Sequence, residues 1–343
     1  MYKRLLKIGL ALMLGALFMW LAFRNVRLQE VWEYSKDIQF GWIIPFGISA
    51  LCSHVFRAER WRLLIEHDKK ELDRVTLISG VLVGYLMNIV GPRLGEVSRP
   101  VYVGKKEGLS TSKLMGTIVL ERIIDVVVMG ILMVVVSVYL ISDLNLLKQI
   151  FGDQTVNFLT NESSLITYGW VALFVLVMIG LAYIGLKLIL YLGTKFEVLQ
   201  EWIDRAKNVL IMFKDGVLSA RQVQRWWLFI TFTVLIWFCY TLMTYIPFWM
   251  FDMQEIYDLD MIDALVITVI SAIGIAIPSP GGIGTYHYFV KQSLLVLFAV
   301  PAVTGVAYAT ITHAGMVIFV ASITPIFLFI DKWRSTKAGE PVF

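Results

Sequence analysis

The sequence predicts an all-α polytopic membrane protein with six full transmembrane helices and two re-entrant helical hairpins, arranged as an inverted repeat. Composition, the lengths of the apolar segments and two breaks rich in glycine and proline predict this fold. Of the 343 residues, 58% are hydrophobic and 16% are charged, and the mean hydropathy is +0.74. Soluble domains have roughly 45–50% apolar and about 25% charged residues. The composition therefore excludes a soluble enzyme, a disordered protein and a nucleic-acid binder.

Six segments have the roughly 20 mostly apolar residues that a helix needs to cross a bilayer. The first is predicted to be a retained span and not a cleaved signal peptide, because Arg24 and Asn25 follow it where a site of small residues would be expected. The six predicted spans are residues 5–23, 41–64, 113–141, 166–190, 226–250 and 303–330.

Two further apolar segments are too short to cross and end in irregular chain. Residues 75–90 break at Gly91–Pro100, and residues 262–277 break at Pro278–Thr285. Proline removes a backbone donor and glycine frees the backbone, so neither helix can continue through its break. Irregular backbone at membrane depth must be buried in protein or line a cavity. We therefore expect two re-entrant hairpins.

The distribution of lysine and arginine predicts the orientation. With cytoplasmic termini and two hairpins, 23 of the 30 basic residues fall on the cytoplasmic side and four fall outside. Basic residues collect on the cytoplasmic side of bacterial inner-membrane and other plasma-membrane proteins. The sequence thus predicts a multi-pass plasma (inner) membrane protein with cytoplasmic N- and C-termini.

The same topology contains an internal symmetry within a single transmembrane domain, residues 1–343. The pseudo-repeat halves are about 1–141 and 166–330, each ordered span, span, hairpin, span, with an amphipathic cytoplasmic connector at about 192–225. Broken helices at matching positions of an inverted repeat are typical of transporters, whose substrate site lies at the repeat interface.

Charged residues within a predicted span mark the first candidate site. Glu121 and Asp125 are four residues apart and share a helix face, and Arg122 lies beside them. Ionisable residues in a membrane need partners and usually have a function. The group could lock helices together or serve transport, and because it carries one excess negative charge we expect Arg93 as its partner.

The first break carries Arg93, Glu96 and Arg99, which predict an anion site. An arginine presents a planar pair of donors that matches phosphate oxygens. Arg93 and Arg99 would hold the phosphate of a lipid head group; alternatively, Arg93 pairs only with Glu96 or Asp125.

The second break has no charged residue. It offers backbone amides at Gly281 and Gly282 and the Thr285 hydroxyl, followed by Tyr286 and His287. The histidine could be a packing residue or a proton carrier. Because the four histidines are scattered, we expect no metal site. No nucleotide-binding pattern is present in the sequence, and we expect no cofactor.

Arg57 and Arg60 end the second predicted span on one helix face. Two interpretations stay open: anchoring at the cytoplasmic interface, or contact with anionic head groups.

Four motifs together resemble the lysylphosphatidylglycerol synthase transmembrane-region family, also called the flippase-like family. They are Arg57-Ala-Glu-Arg-Trp-Arg62, Pro92-Arg-Leu-Gly-Glu-Val-Ser-Arg99, Glu121-Arg-Ile-Ile-Asp125 and Pro280-Gly-Gly-Ile-Gly284. Larger members carry a cytosolic aminoacyl-transferase domain after the membrane part, whereas this chain ends at Phe343. The resemblance therefore implies the lipid-translocating part without lysyl transfer. Similar stand-alone proteins are linked to phospholipids, polyprenyl or dolichyl phosphates and hopanoids.

One position departs from the family pattern. His287 stands where the family commonly has an acidic residue, which puts a coupling role for a carboxylate at that position in doubt.

We expect a flippase or scramblase-like transporter for a phosphate-bearing lipid, either a phospholipid or a lipid linked to polyprenyl phosphate. The alternatives are a membrane-embedded enzyme, with Glu96 and His287 as its acid/base pair, and a non-catalytic protein that delivers lipid to a synthase. No catalytic motif is present, so we do not expect an enzyme. The expected partners are membrane lipids and anionic lipid head groups; a lipid-modifying synthase or glycosyltransferase and a homo-oligomer stay open, and no nucleic acid is expected.

Overall fold

The computed structural model describes residues 2–36, 38–66, 69, 71–142, 187, 200 and 225–337. The chain divides into two compact units, Met1–Val136 with Ala220–Phe343, and Ser137–Ser219. Only the first unit is described over most of its length. The predicted span at 166–190 and the predicted connector at 192–225 fall outside the described residues, apart from Lys187, Gln200 and Arg225.

All regular secondary structure in the described residues is helical. Short 3-10 turns lie at Phe40–Trp42 and Pro280–Gly282. The α-helices are α1 (Tyr2–Phe23), α2 (Leu28–Lys36), α3 (Ile43–Ile65), α4 (Arg74–Val90), α5 (Gly95–Glu107), α6 (Thr111–Ser142), α7 (Trp226–Met250), α8 (Met253–Ile256), α9 (Met261–Ala276), α10 (Thr285–Phe298) and α11 (Ala302–Lys337).

Four of the described helices are long and apolar enough to cross a membrane. They coincide with predicted spans and cover Phe40–Ile65, Thr111–Leu140, Trp226–Met250 and Ala302–Lys337. The predicted first span is also helical, but the chain turns by 75° between α1 and α2. The turn includes Asn25, whose φ is 66°. Asparagine tolerates this left-handed backbone better than most residues do.

The first break separates two short helices that pack closely against each other. The Asp73 carboxylate caps α4 by accepting from the backbone N–H of Thr76 at 3.1 Å. At the other end, the Gly95 N–H donates to the Asn88 side-chain oxygen at 2.7 Å, which ties the start of α5 to the last turn of α4. A Cβ atom on Gly95 would lie 2.0 Å from the Gly84 carbonyl oxygen. This contact therefore requires glycine.

The second break has the same arrangement of two short helices. Asp260 and Asp263 form a reciprocal capping box at the start of α9. Between α9 and α10, three glycines (Gly281, Gly282 and Gly284) have φ between 58° and 84°. Side chains rarely adopt this backbone, so glycine allows the chain to turn here.

Packing brings the two breaks together within the first unit. The second break lies against α4, α3 packs along α7, and α11 packs against both α4 and α10. One apolar core cluster includes Trp61, Leu77 and Val103, and another includes Phe248 and Tyr308. The outer part of α6 exposes apolar side chains such as Ile131 and Val134. Such a surface suits a hydrocarbon environment.

Candidate functional site

The arginines of α3 are buried in the protein. Arg60 and Trp61 have no exposed surface, and Arg57 is 4% exposed. A charge removed from water costs several kcal/mol unless opposite charges and hydrogen bonds compensate it. The interpretation of Arg57 and Arg60 as anchors at the cytoplasmic interface is therefore wrong, whereas their contact with anionic head groups stays a prediction.

Two carboxylates of α6 compensate these arginines. The Glu121 Oε1 atom accepts from Arg57 at 2.9 Å and from Arg60 at 3.0 Å. Asp125 lies one turn further along, 3.2 Å from Arg57 and 2.7 Å from Arg60. The predicted shared face of Glu121 and Asp125 is thus confirmed.

The predicted partner of these carboxylates was wrong. Arg93 is exposed at the first break, has a φ of 62°, and forms no ion pair within the described residues. Arg122, at the next position after Glu121, lies 3.8 Å from Glu96 of α5. Spacing along α6 identified the carboxylates but could not identify which helix supplies their cations.

Arg99 of α5 completes the buried cluster and has donors to spare. Its Nη1 atom lies 3.0 Å from Glu121 Oε2, and its guanidinium stacks over Trp61 at 3.9 Å from the ring centroid. Its Nε and Nη2 atoms are buried and have no hydrogen-bond partner among the described residues. The three buried arginines carry one more charge than Glu121 and Asp125 neutralise.

A small pocket opens beside Arg99. Its volume is about 20 Å³, which is room for roughly one water molecule. Glu96 and Arg122 line it, and their half-exposed side chains form the loose pair described above. Asn88 also lines it; since its oxygen is occupied by the Gly95 N–H, its amide nitrogen is left to donate.

Aromatic and hydroxyl groups that sequence patterns did not identify surround this cluster. The Tyr240 hydroxyl accepts from Arg57 at 2.7 Å and lies 3.1 Å from the Tyr85 hydroxyl, while Thr233 lies 3.4 Å from Arg60. Asn88 is a polar residue in the last turn of an apolar helix, and this contrast could have identified it from the sequence. Tyr240 carried none, because tyrosines are common throughout such a chain.

The second break adjoins this region through its glycines. A Cβ on Gly281 would lie 3.4 Å from Ile89 Cα, so the break is packed against the end of α4. The Gly281 carbonyl is 2.9 Å from His313 Nε2. Gly282 is buried, and its carbonyl accepts from the Thr285 hydroxyl at 3.2 Å.

Tyr286 and His287 do not line the pocket. The Tyr286 hydroxyl lies 3.0 Å from that of Thr312, and the His287 ring is 4.9 Å from the His313 ring. Within the described residues, no group of three or more metal-ligating side chains is present.

A second buried polar cluster joins α11 to the first pair of short helices. Asp331, 1% exposed, accepts from Thr76 at 2.6 Å, forms a short hydrogen bond with Tyr102 and pairs with Lys106 at 3.3 Å. Sequence patterns did not identify it. It lies at the far end of α4 from the break.

The sequence matches the family described as lysylphosphatidylglycerol synthase TM region over residues 5–323. The chain belongs to this family. The resemblance predicted from the four motifs is confirmed, and the chain is an integral membrane protein whose family is associated with lipid handling. No curated protein and no solved structure matches the chain.

The family motifs converge although they are far apart along the chain. The motif in α3 contributes Arg57 and Arg60, the first break leads to Arg99, and the motif in α6 contributes the carboxylates. The second break lies against the end of α4. Three of the four motifs therefore contribute residues to the pocket, and the fourth packs against the neighbouring end of α4.

Proposed function

We propose that the protein is a flippase or scramblase-like transporter that moves a phosphate-bearing lipid across the bilayer, with the phosphate bound by Arg99. The observation that carries this proposal is the buried, unpartnered edge of the Arg99 guanidinium at the pocket. Nε and Nη2 are neighbouring donors on one edge, an arrangement that matches two oxygens of a phosphate.

The charge of the cluster supports an anionic ligand. Three buried arginines face two carboxylates, and an uncompensated charge in a medium of low dielectric is costly. A phosphate diester supplies the missing negative charge. Asn88 adds a neutral donor that would fix the phosphate orientation.

We propose that the two breaks belong to re-entrant hairpins of an inverted repeat. Helix α4 has 17 residues and α9 has 16, so each extends about 25 Å and falls short of a bilayer core of roughly 30 Å. In each half a long helix precedes two short helices and another long helix follows them. Together with this topology, the distribution of basic residues supports our proposal of cytoplasmic termini in a plasma membrane.

Entry of a head group requires the pocket to widen. A pocket with room for roughly one water is too small for a phosphate, and its outer wall is the loose pair between α5 and α6. We propose that movement of α5 relative to α6 opens the pocket, while the acyl or isoprenoid chains stay in the lipid.

Replacing Arg99 with lysine tests the proposal. Lysine can still pair with Glu121 but lacks the second donor edge. Arg99→Lys should weaken lipid binding by about 1–3 kcal/mol, the range for charge-assisted hydrogen bonds, and should slow lipid movement in liposomes. The matched control is Arg93→Lys, the same change at an exposed site with no ion pair in the described part of the chain, which should behave as wild type.

The outcomes separate the three candidate functions. Transport is supported if the pure wild-type protein and Arg93→Lys move labelled phospholipid and Arg99→Lys does not. Binding without movement would indicate a delivery protein for a synthase or glycosyltransferase. A new covalent product would indicate an enzyme.

We favour transport over catalysis because the suggested acid/base pair is not assembled. Glu96 pairs with Arg122, and His287 packs against His313; no contact joins Glu96 to His287 in the described structure.

A further inference from the structure

We infer that the pocket selects a zwitterionic head group bearing a phosphate and a primary amine, the chemistry of phosphatidylethanolamine; this rests on the proposed function. The inference concerns Glu96 and Arg122, which line the pocket together with Arg99. Their shortest distance, Arg122 Nε to Glu96 Oε1, is 3.8 Å, longer than a hydrogen bond. Both side chains are nearly half exposed, so their mutual attraction is weak and can be exchanged for a ligand.

An anionic ligand would change the charge balance between Glu96 and Arg122 at the pocket. Phosphate bound to Arg99 also attracts Arg122, since both side chains line the same small pocket. As Arg122 turns toward the phosphate, the Glu96 carboxylate loses its cation. An ammonium group on the ligand restores the balance, because it replaces Arg122 as the partner of Glu96.

The spacing of the two sites matches such a ligand. Glu96 and Arg99 are three residues apart on α5, so their Cβ atoms are separated by about 5–6 Å on one helix face. In an ethanolamine head group, a two-carbon bridge separates the phosphate oxygen from the nitrogen. The phosphate can therefore reach Arg99 while the ammonium reaches Glu96.

The lining also discriminates against the two commonest other head groups. A glycerol head group brings no positive charge and leaves Glu96 unpaired. A choline head group has no N–H donor for the carboxylate, and quaternary ammonium groups are recognised by several aromatic rings. Tyr85 is the single aromatic side chain among the residues that line this pocket, and its hydroxyl contacts Tyr240.

Native mass spectrometry of the purified full-length protein in detergent tests the inference. The protein is offered phosphatidylethanolamine, phosphatidylglycerol and phosphatidylcholine with identical acyl chains. We expect occupancy by phosphatidylethanolamine to exceed each of the others about tenfold, equivalent to 1.4 kcal/mol. In the wild-type protein, successive N-methylation of the lipid should lower occupancy stepwise, a measurement that needs no variant.

Glu96→Gln should remove the preference for the amine and keep binding of phosphatidylglycerol. Its matched control is Glu33→Gln, the same change in a different exposed ion pair, with Lys36 of α2, outside the residues that line the pocket. The selectivity would be overturned if phosphatidylethanolamine and phosphatidylglycerol occupied the wild-type protein equally. If Arg99→Lys then lost both lipids, the proposed function would stay intact. Phospholipid binding that is absent, or unaffected by Arg99→Lys, would overturn both. Displacement of the lipid by soluble phosphoethanolamine at equal concentration would overturn the assignment to a lipid.

Discussion

Glu121 holds the buried cluster together, because one carboxylate lies within 3.0 Å of nitrogen atoms from three arginines. Two of these arginines come from α3 and the third from α5. Glu121 is 1% exposed, so water does not screen these pairs. The residue therefore links α3 and α5 to α6.

Glu121→Gln should be strongly destabilising, by about 3–5 kcal/mol, because it leaves three buried guanidinium groups with Asp125 as their remaining carboxylate. The matched control is Glu96→Gln, the same change at a half-exposed carboxylate that pairs with Arg122, which should cost no more than about 1 kcal/mol. Thermal unfolding in detergent measures both. Equal melting temperatures for the two variants would show that the cluster does not stabilise the fold.

Glycine contacts set how closely the two short helices of the first break can approach. Gly84 and Gly95 bring α4 and α5 into backbone contact, and the same contact directs the Gly95 N–H to Asn88. The position of the pocket wall therefore depends on backbone atoms as well as on charges. Small residues at helix contacts are a common device in membrane proteins.

Gly95→Ala should separate α4 from α5, since the added Cβ would lie 2.0 Å from a backbone oxygen that cannot rotate away. We expect destabilisation of about 1–3 kcal/mol, the usual cost of overpacking, and weaker lipid binding. Gly116→Ala in α6 is the control, because a Cβ there meets nothing within 4 Å. Thermal unfolding and lipid binding on both variants check this; a Gly95→Ala protein as stable as Gly116→Ala would contradict the close contact.

At the scale of the whole molecule, the orientation depends on fewer basic residues than the sequence count indicated. The 23 basic residues counted on the cytoplasmic side include Arg57, Arg60 and Arg99, yet all three are buried in the ion-pair cluster. The end of α5 still carries the basic residues Lys105 and Lys106. Residues 251–263, which include α8, are acidic and contain no lysine or arginine. The predicted orientation therefore keeps its basis.

Labelling of single cysteines in intact cells tests that orientation in a background lacking Cys52 and Cys239. Glu255→Cys and Lys105→Cys place probes at exposed positions. An impermeant maleimide added from outside should modify the cysteine at 255 and spare the one at 105, and opened membranes should allow both reactions as a control. Reaction at 105 from outside would make the first hairpin a full crossing.

Composition and local sequence pattern were sufficient to predict most of the described helices and several residues of the site. Apolar length predicted the four long described helices, and glycine with proline predicted both breaks, because these properties act within one segment. The motif residues Arg99, Glu121 and Asp125 were also identified as members of a site. Helical periodicity placed Glu121 and Asp125 on one face because three or four residues make one turn.

The tertiary structure alone decided which charges meet. Arg57 and Glu121 are 64 residues apart in sequence, and spacing within a helix does not specify the helix that packs against it. An arginine near the end of an apolar segment has the same sequence pattern whether it reaches water or turns into the protein. Packing of α3 and α5 against α6 makes that choice, since it buries Arg57, Arg60 and Arg99 beside carboxylates and leaves Arg93 exposed.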